Sequence, residues 1–202
     1  STCSAYGVQD TTKLANESFP MKPVSLYART KIDAEEYLFE QVGDRFYCTV
    51  FRPSTVFGVS PRMRFDLIPN HFIKDAYLTG DLTVYGGQMW RPLMWVGDAG
   101  RAIVAALNAP INTVKNETFN LGDMEANHRK SEVAQIIKDR ILPNINLVDV
   151  KHDSDLRSYR VDFSKIESQL GFKLSRTLEE GMTDVLTVLQ DGIISDYDDS
   201  KY

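Results

Sequence analysis

The apolar residues of this chain fall into two rhythms, short continuous runs and helical spacings, which alternate from end to end. A helix is expected over 26–42, with Ser25 as its cap and Gly43 as its stop, because a hydroxyl ahead of the first turn accepts an orphan amide and glycine ends helices readily. Phe46-Tyr47-Cys48-Thr49-Val50-Phe51 is β-branched and aromatic, the mark of a buried strand, and Arg52-Pro53 is read as its end. Asp66 is expected to cap a second helix that tolerates Pro69 in its first turn and closes at Gly80. Residues 82–85 and 93–96 read as short strands, Asp98 as the cap of an Ala/Val-rich helix to Asn108 stopped by Pro110, and 118–121 as another strand.

The last third continues the alternation. Ser131 opens a helix with Val133, Ile136, Ile137 and Ile141 on one face, ended by Pro143, and 147–150 is strand-like. Thr177-Leu178-Glu179-Glu180 is a capping box, followed by Met182, Val185 and Leu189 at helical spacing from Leu178 and by Gly192 as a stop. The acidic tail from Asp196 is expected to fray. Helices alternating with short strands predict an α/β fold with a mostly parallel sheet, without internal repeats or a visible linker.

Composition narrows the function classes. At 202 residues, 43% hydrophobic and 25% charged, the chain reads as a soluble globular protein rather than a disordered, collagenous or coiled-coil one. It contains no apolar run of the ~20 residues a span needs, so no membrane partner is expected. A net charge of −5 without a Lys/Arg block argues against nucleic acid as a partner. Cys3 and Cys48 are too few for a disulfide framework, which suggests a cytoplasmic protein in which Cys48 is a small core hydrophobe. His71, His128 and His152 lack ligand spacing, so no metal site is expected; Trp90, Met94 and Trp95 read as core. The two sequons at Asn16 and Asn116 carry no weight in a cytoplasmic protein. The opening Ser1-Thr2-Cys3-Ser4-Ala5-Tyr6-Gly7 reads as the interior of a fold and predicts a missing N-terminal part.

The strongest chemical signal is Thr2 with Tyr27 and Lys31. Four residues apart on a helix, the Tyr hydroxyl and the Lys ammonium share a face, and a cation beside a phenol favours the deprotonated form that a proton shuttle needs. Thr2 precedes Tyr6-Gly7, and the Tyr helix leads into a strand that runs on to Arg52-Pro53-Ser54-Thr55-Val56-Phe57-Gly58.

With these residues the chain resembles the extended short-chain dehydrogenase/reductases, the NAD-dependent nucleotide-sugar epimerases and dehydratases. That family has Ser/Thr four residues before Tyr-Gly, then Tyr-x-x-x-Lys, then Arg-Pro-x-Asn-Val-Tyr-Gly. Further collinear matches are Trp90-Arg91-Pro92-Leu93-Met94-Trp95-Val96-Gly97-Asp98, Phe119-Asn120-Leu121-Gly122, and Asp162-Phe163-Ser164-Lys165-Ile166 through Leu170-Gly171-Phe172 to Leu178-Glu179-Glu180-Gly181. The resemblance implies part of a Rossmann-like doubly wound parallel sheet plus a small mixed α/β substrate-binding region. Residues 1–60 would be the C-terminal part of the NAD-binding domain, and 61–202 mainly the substrate-binding region with some elements returning to the sheet.

The resemblance also implies roles. Tyr27 would exchange a proton with a sugar hydroxyl while hydride moves to or from NAD (NADP left open). Lys31 would hold the nicotinamide ribose and tune Tyr27, Thr2 would bond the same sugar oxygen, and main-chain groups of Pro53 and Val56 would meet the carboxamide. Arg91 would bind the diphosphate of a nucleotide-diphosphate sugar, with Arg157 as a second candidate and Thr55, Asp66 and Leu67 as further substrate contacts. Relatives often dimerise through the Tyr helix, which extends to a homodimer here.

Three departures shape the expectation. The Asp-Glu pair that dehydratases carry after the catalytic Thr is replaced by Cys3 and Ser4, which points to epimerisation or 4-keto reduction rather than loss of water. Thr55 replaces the usual Asn, and Asp66 stands where some relatives place an Asn near the phosphates. No Gly-x-x-Gly-x-x-Gly turn for the cofactor pyrophosphate is present; the chain is read as the C-terminal portion of a longer one, with a truncated relative as the other possibility. The rival to an enzyme is a non-catalytic sugar-nucleotide-binding or regulatory protein on the same scaffold.

Overall fold

A computed structural model describes residues 1–151 and 157–194, so His152 and the tail from Asp196 lie outside the described residues. The fold is mixed α/β, as the alternation predicts. In chain order, a 3-10 turn over Cys3–Tyr6 precedes α1 (Leu26–Glu40), β1 (Thr49–Pro53), β2 (Thr55–Phe57), α2 (Asn70–Thr79), β3 (Asp81–Tyr85), β4 (Trp90–Trp95) and α3 (Val96–Asn108). Then come α4 (Ile111–Val114), β5 (Glu117–Leu121), β6 (Asn127–Arg129), α5 (Lys130–Ile136), β7 (Asn146–Val150), α6 (Ser164–Leu170) and α7 (Leu178–Gln190).

The strands pair in parallel as β1–β5, β2–β4 and β3–β7, with β6 antiparallel on β4. Among the described residues they make three short sheets rather than one continuous sheet. The division begins at Ser54, the one residue between β1 and β2. Its amide and hydroxyl both donate to the Leu121 carbonyl, at 3.0 and 2.9 Å, after which the chain leaves β5 and takes up β4 instead. Arg52-Pro53 therefore lies inside β1, with Pro53 opposite Leu121, and does not end it.

Local chemistry explains the other shifts of boundary. Gly43 closes a tight turn with Phe46 rather than the helix, which ends at Glu40, so Phe46 and Tyr47 stay exposed and β1 starts at Thr49. Cys48 sits half-buried just ahead of that strand, its amide bonded to Asn116 Oδ1 at 3.2 Å. Asp66 does not cap α2, because its carboxylate is taken by Arg64; the helix starts after Pro69 without a side-chain cap. Asp98 lies inside the first turn of α3, where it is fully buried and bonded to the Ser175 amide and hydroxyl. α5 begins at Lys130, with Glu132 bonding back to the Arg129 amide, and passes into a π-helical turn over Ile137–Ile141. The capping box at Thr177 and the left-handed Gly80 behind α2 form as expected.

Two apolar cores result. One gathers Phe57, Phe72, Leu82, Val133, Ile137, Met182 and Val185 from β2, α2, β3, α5 with its π-helical turn, and α7. The other holds Tyr6, Met94, Phe119, Tyr159, Phe163 and Phe172 around β5. Among the described residues no helix is long and apolar enough to cross a membrane.

Candidate active-site cleft

Thr2 is the N-cap of the opening turn, its Oγ1 accepting the Ser4 amide at 3.2 Å, and it is nearly buried. The turn needs Gly7 at its end: φ is +66°, and a Cβ there would stand 1.8 Å from the Lys22 carbonyl oxygen. Across from it, Ser25 caps α1 by accepting the Ala28 amide at 3.2 Å, which starts the helix at Leu26, one residue before Tyr27. Tyr27 is 54% exposed, and one turn later the Lys31 ammonium lies 5.7 Å from the centre of its ring.

These elements open on a cleft of about 1560 Å³. Thr2, Tyr27, Pro53, Thr55, Val56, Asp66, Leu67, Arg91 and Arg157 all line it, although they come from segments up to 155 residues apart. Lys31 does not line the cleft and meets it through Tyr27. Among the described residues, the wall carries Arg62, Arg64, Arg91, Lys130 and Arg157 together with Asp66 and Asp75. Such a wall suits an anionic ligand.

Arg91 is buried, and its guanidinium donates to the Trp90 carbonyl at 2.8 Å and to the Arg157 carbonyl while lying 5.8 Å from the Tyr159 ring centre. It therefore both lines the cleft and holds the backbone of Arg157. Asp66 is gripped by Arg64 through two oxygens, a contact that holds its carboxyl below the usual range. Met94 is core, whereas Trp90 and Trp95 are only half-buried, with Arg129 and Arg160 against Trp90 and Arg176 against Trp95.

The structure adds residues that spacing did not reveal. Ser4 Oγ and the Tyr159 hydroxyl lie 3.3 Å apart on the cleft wall, and burial pushes the Tyr159 phenol up. They are 155 residues apart, so no local pattern links them. His71 and Asp75, at 3.0 Å on α2, also face the cleft; their i, i+4 spacing was the available signal. Cys3 points the other way. It is buried off the cleft, its thiol donating to the Arg52 carbonyl at 2.9 Å, and burial pushes its ionisation far up. Among the described residues no cluster of three His, Cys, Asp or Glu suits a metal.

The sequence matches the model of the NAD dependent epimerase/dehydratase family over residues 1–122. It is 28% identical over 198 residues to an uncharacterized protein of Methanocaldococcus jannaschii, covering 90% of this chain and 55% of that one. It is 30% identical over 127 residues to the GDP-6-deoxy-D-talose 4-dehydrogenase of Aggregatibacter actinomycetemcomitans, covering 60% of this chain and 39% of that one. The structure of MoeE5 in complex with UDP-glucose and NAD is similar at a TM-score of 0.79 and 25% identity, over 96% of this chain and 64% of that chain. The chain thus spans about half the length, or less, of these curated relatives.

Proposed function

The chain belongs to the NAD dependent epimerase/dehydratase family, and from that premise we propose that it acts on a nucleotide-diphosphate sugar as an NAD-dependent 4-epimerase or 4-ketoreductase. The observation that carries the reading is the convergence of Thr2, Tyr27, Arg91 and Arg157 on one basic cleft. MoeE5 binds UDP-glucose and NAD, and the talose dehydrogenase acts at C4 of a GDP-sugar, in keeping with that cleft.

The residues present fit the nicotinamide-ribose end of NAD: a phenol and an ammonium on one helix face, with Pro53 and Val56 offering main-chain groups in the cleft. NAD, when bound, supplies the redox chemistry at the sugar carbon. Tyr27 takes the proton from the C4 hydroxyl and returns it, and Thr2 bonds the same oxygen so that it stays within reach. Lys31, one turn along the helix from Tyr27, would hold the ribose of the bound cofactor. Arg91 and Arg157 hold the diphosphate, and Thr55, Asp66 and Leu67 bound the rest of the substrate.

Residues 1–60 serve the cofactor side, joined by β5, and most of 61–202 serve the substrate side. Leu26, Tyr37 and Leu38, all exposed on α1, suit a homodimer through this helix. Loss of water is not part of the activity, since Cys3 is turned from the cleft and Ser4 has no acid strength.

The test is to incubate the native protein with NAD and UDP-, dTDP- and GDP-sugars and to separate the products. A C4 epimer, or NAD-linked interconversion of a 4-keto sugar, is expected. Tight binding of a sugar nucleotide without turnover would favour the non-catalytic binder.

A further inference from the structure

We propose that the buried Glu35–Arg52 pair is a positioning unit that fixes the height and rotation of α1, and with them the placement of Tyr27 against Thr2. The inference rests on the acid/base reading of Tyr27. Neither member lines the cleft, so the pair acts through its neighbours.

Both side chains are 5% exposed. Arg52 grips both carboxylate oxygens of Glu35, with Nε to Oε2 at 3.1 Å and Nη2 on Oε1. Its third nitrogen, Nη1, donates to the Tyr6 hydroxyl at 3.1 Å and to the Glu17 carbonyl at 2.8 Å. Tyr6 in turn donates to Asn120 Oδ1 on β5 at 2.6 Å. From the opposite side, the Arg52 carbonyl accepts the Cys3 thiol. One residue of β1 therefore holds α1 by its guanidinium and the turn that carries Thr2 at two points, while the next residue, Pro53, lines the cleft.

Apolar packing alone would leave α1 free to slide. Its buried residues are Ala28, Ile32 and Glu35, and the first two offer a small, smooth contact. A fork laid on a carboxylate defines both translation along the helix and rotation about it. Glu35 lies two turns beyond Tyr27, about 12 Å along the axis, in the row Tyr27, Lys31, Glu35, so a slip at one end is carried to the other. Stability alone does not call for such a pair, because well-packed apolar residues in place of a buried ion pair are often as stable or more so.

That difference supplies the test. Tyrosines are replaced by 3-fluorotyrosine, the Tyr27 resonance is assigned with Tyr27→Phe, and Glu35→Met/Arg52→Met is compared with the parent by fluorine NMR, amide exchange and kinetics. The double variant is expected to keep a cooperative melt while its Tyr27 resonance shifts and broadens. Amides of α1 should exchange roughly tenfold faster, with those of α7 unchanged, and turnover should lose kcat with KM retained. An unmoved Tyr27 signal and unchanged α1 exchange overturn the proposal, as does a uniform rise across α1 and α7, which marks a purely stabilising pair. Should the double variant fail to fold, Arg52→Lys keeps a charge without the fork and is read by the same criteria. The acid/base reading itself fails if Tyr27→Phe leaves turnover intact, a result the α1 measurements do not depend on.

Discussion

Cys3 and Arg52 are joined by a thiol-to-carbonyl hydrogen bond of 2.9 Å that points the sulfur into the core and away from the cleft. A buried, protonated thiol is a poor base and a poor nucleophile. No 4-keto-6-deoxy sugar is therefore expected from any sugar nucleotide, and alkaline absorbance of the reaction mixture checks this. Iodoacetamide should label the half-buried Cys48 well ahead of Cys3 in the folded protein, and both at similar rates in denaturant.

The same burial makes stability pH-dependent on the alkaline side. The Cys3 thiol is raised above its ordinary 9.0 and the Tyr6 phenol above its ordinary 10.0, in both cases mainly by burial. The folded chain thus holds these protons more tightly than the unfolded one. Their contribution is complete below those ordinary values and is lost as pH climbs from them toward the folded values. Denaturant midpoints should fall above pH 9, and Cys3→Ala should make the fall shallower.

Tyr27→Phe should cut turnover by ~10²–10⁴-fold, the range of a lost proton shuttle, with little change in melting because the ring is half in solvent. Lys31→Met should additionally weaken NAD binding. Steady-state kinetics and cofactor titration separate the two.

Arg91→Ala and Arg157→Ala are each expected to weaken sugar-nucleotide binding by ~1.5–3 kcal/mol, the value of a charge-assisted hydrogen bond. Arg91→Ala should also lower the melting temperature, because its guanidinium ties the Trp90 and Arg157 carbonyls. Calorimetric titration and thermal melts check both; unchanged affinity would remove the residue concerned from the diphosphate site, and an unchanged melt in Arg91→Ala would remove its structural role.

Met182→Ala should cost ~2–5 kcal/mol, since Met182 is fully buried in the core that joins α2, β3 and α7. Urea unfolding measures the loss, and a change under 1 kcal/mol would mean that the site collapses around the deletion.

What the sequence determined by itself is what depends on neighbours a few residues away. The Ser25 cap, the Thr177 capping box, the Gly80 stop and the shared face of Tyr27 and Lys31 are all set by spacing within one or two turns. The α/β class follows from the alternation of such local units. Tertiary structure alone decided the switch of partners at Ser54, the inward turn of Cys3, the double duty of Arg91 and the meeting of Ser4 with Tyr159. Each depends on a partner 49 to 155 residues distant. A single chain carries no pattern for such pairs: a thiol, a guanidinium or a phenol acquires its surroundings only when burial removes water and leaves most enclosed polar groups to pair with one another.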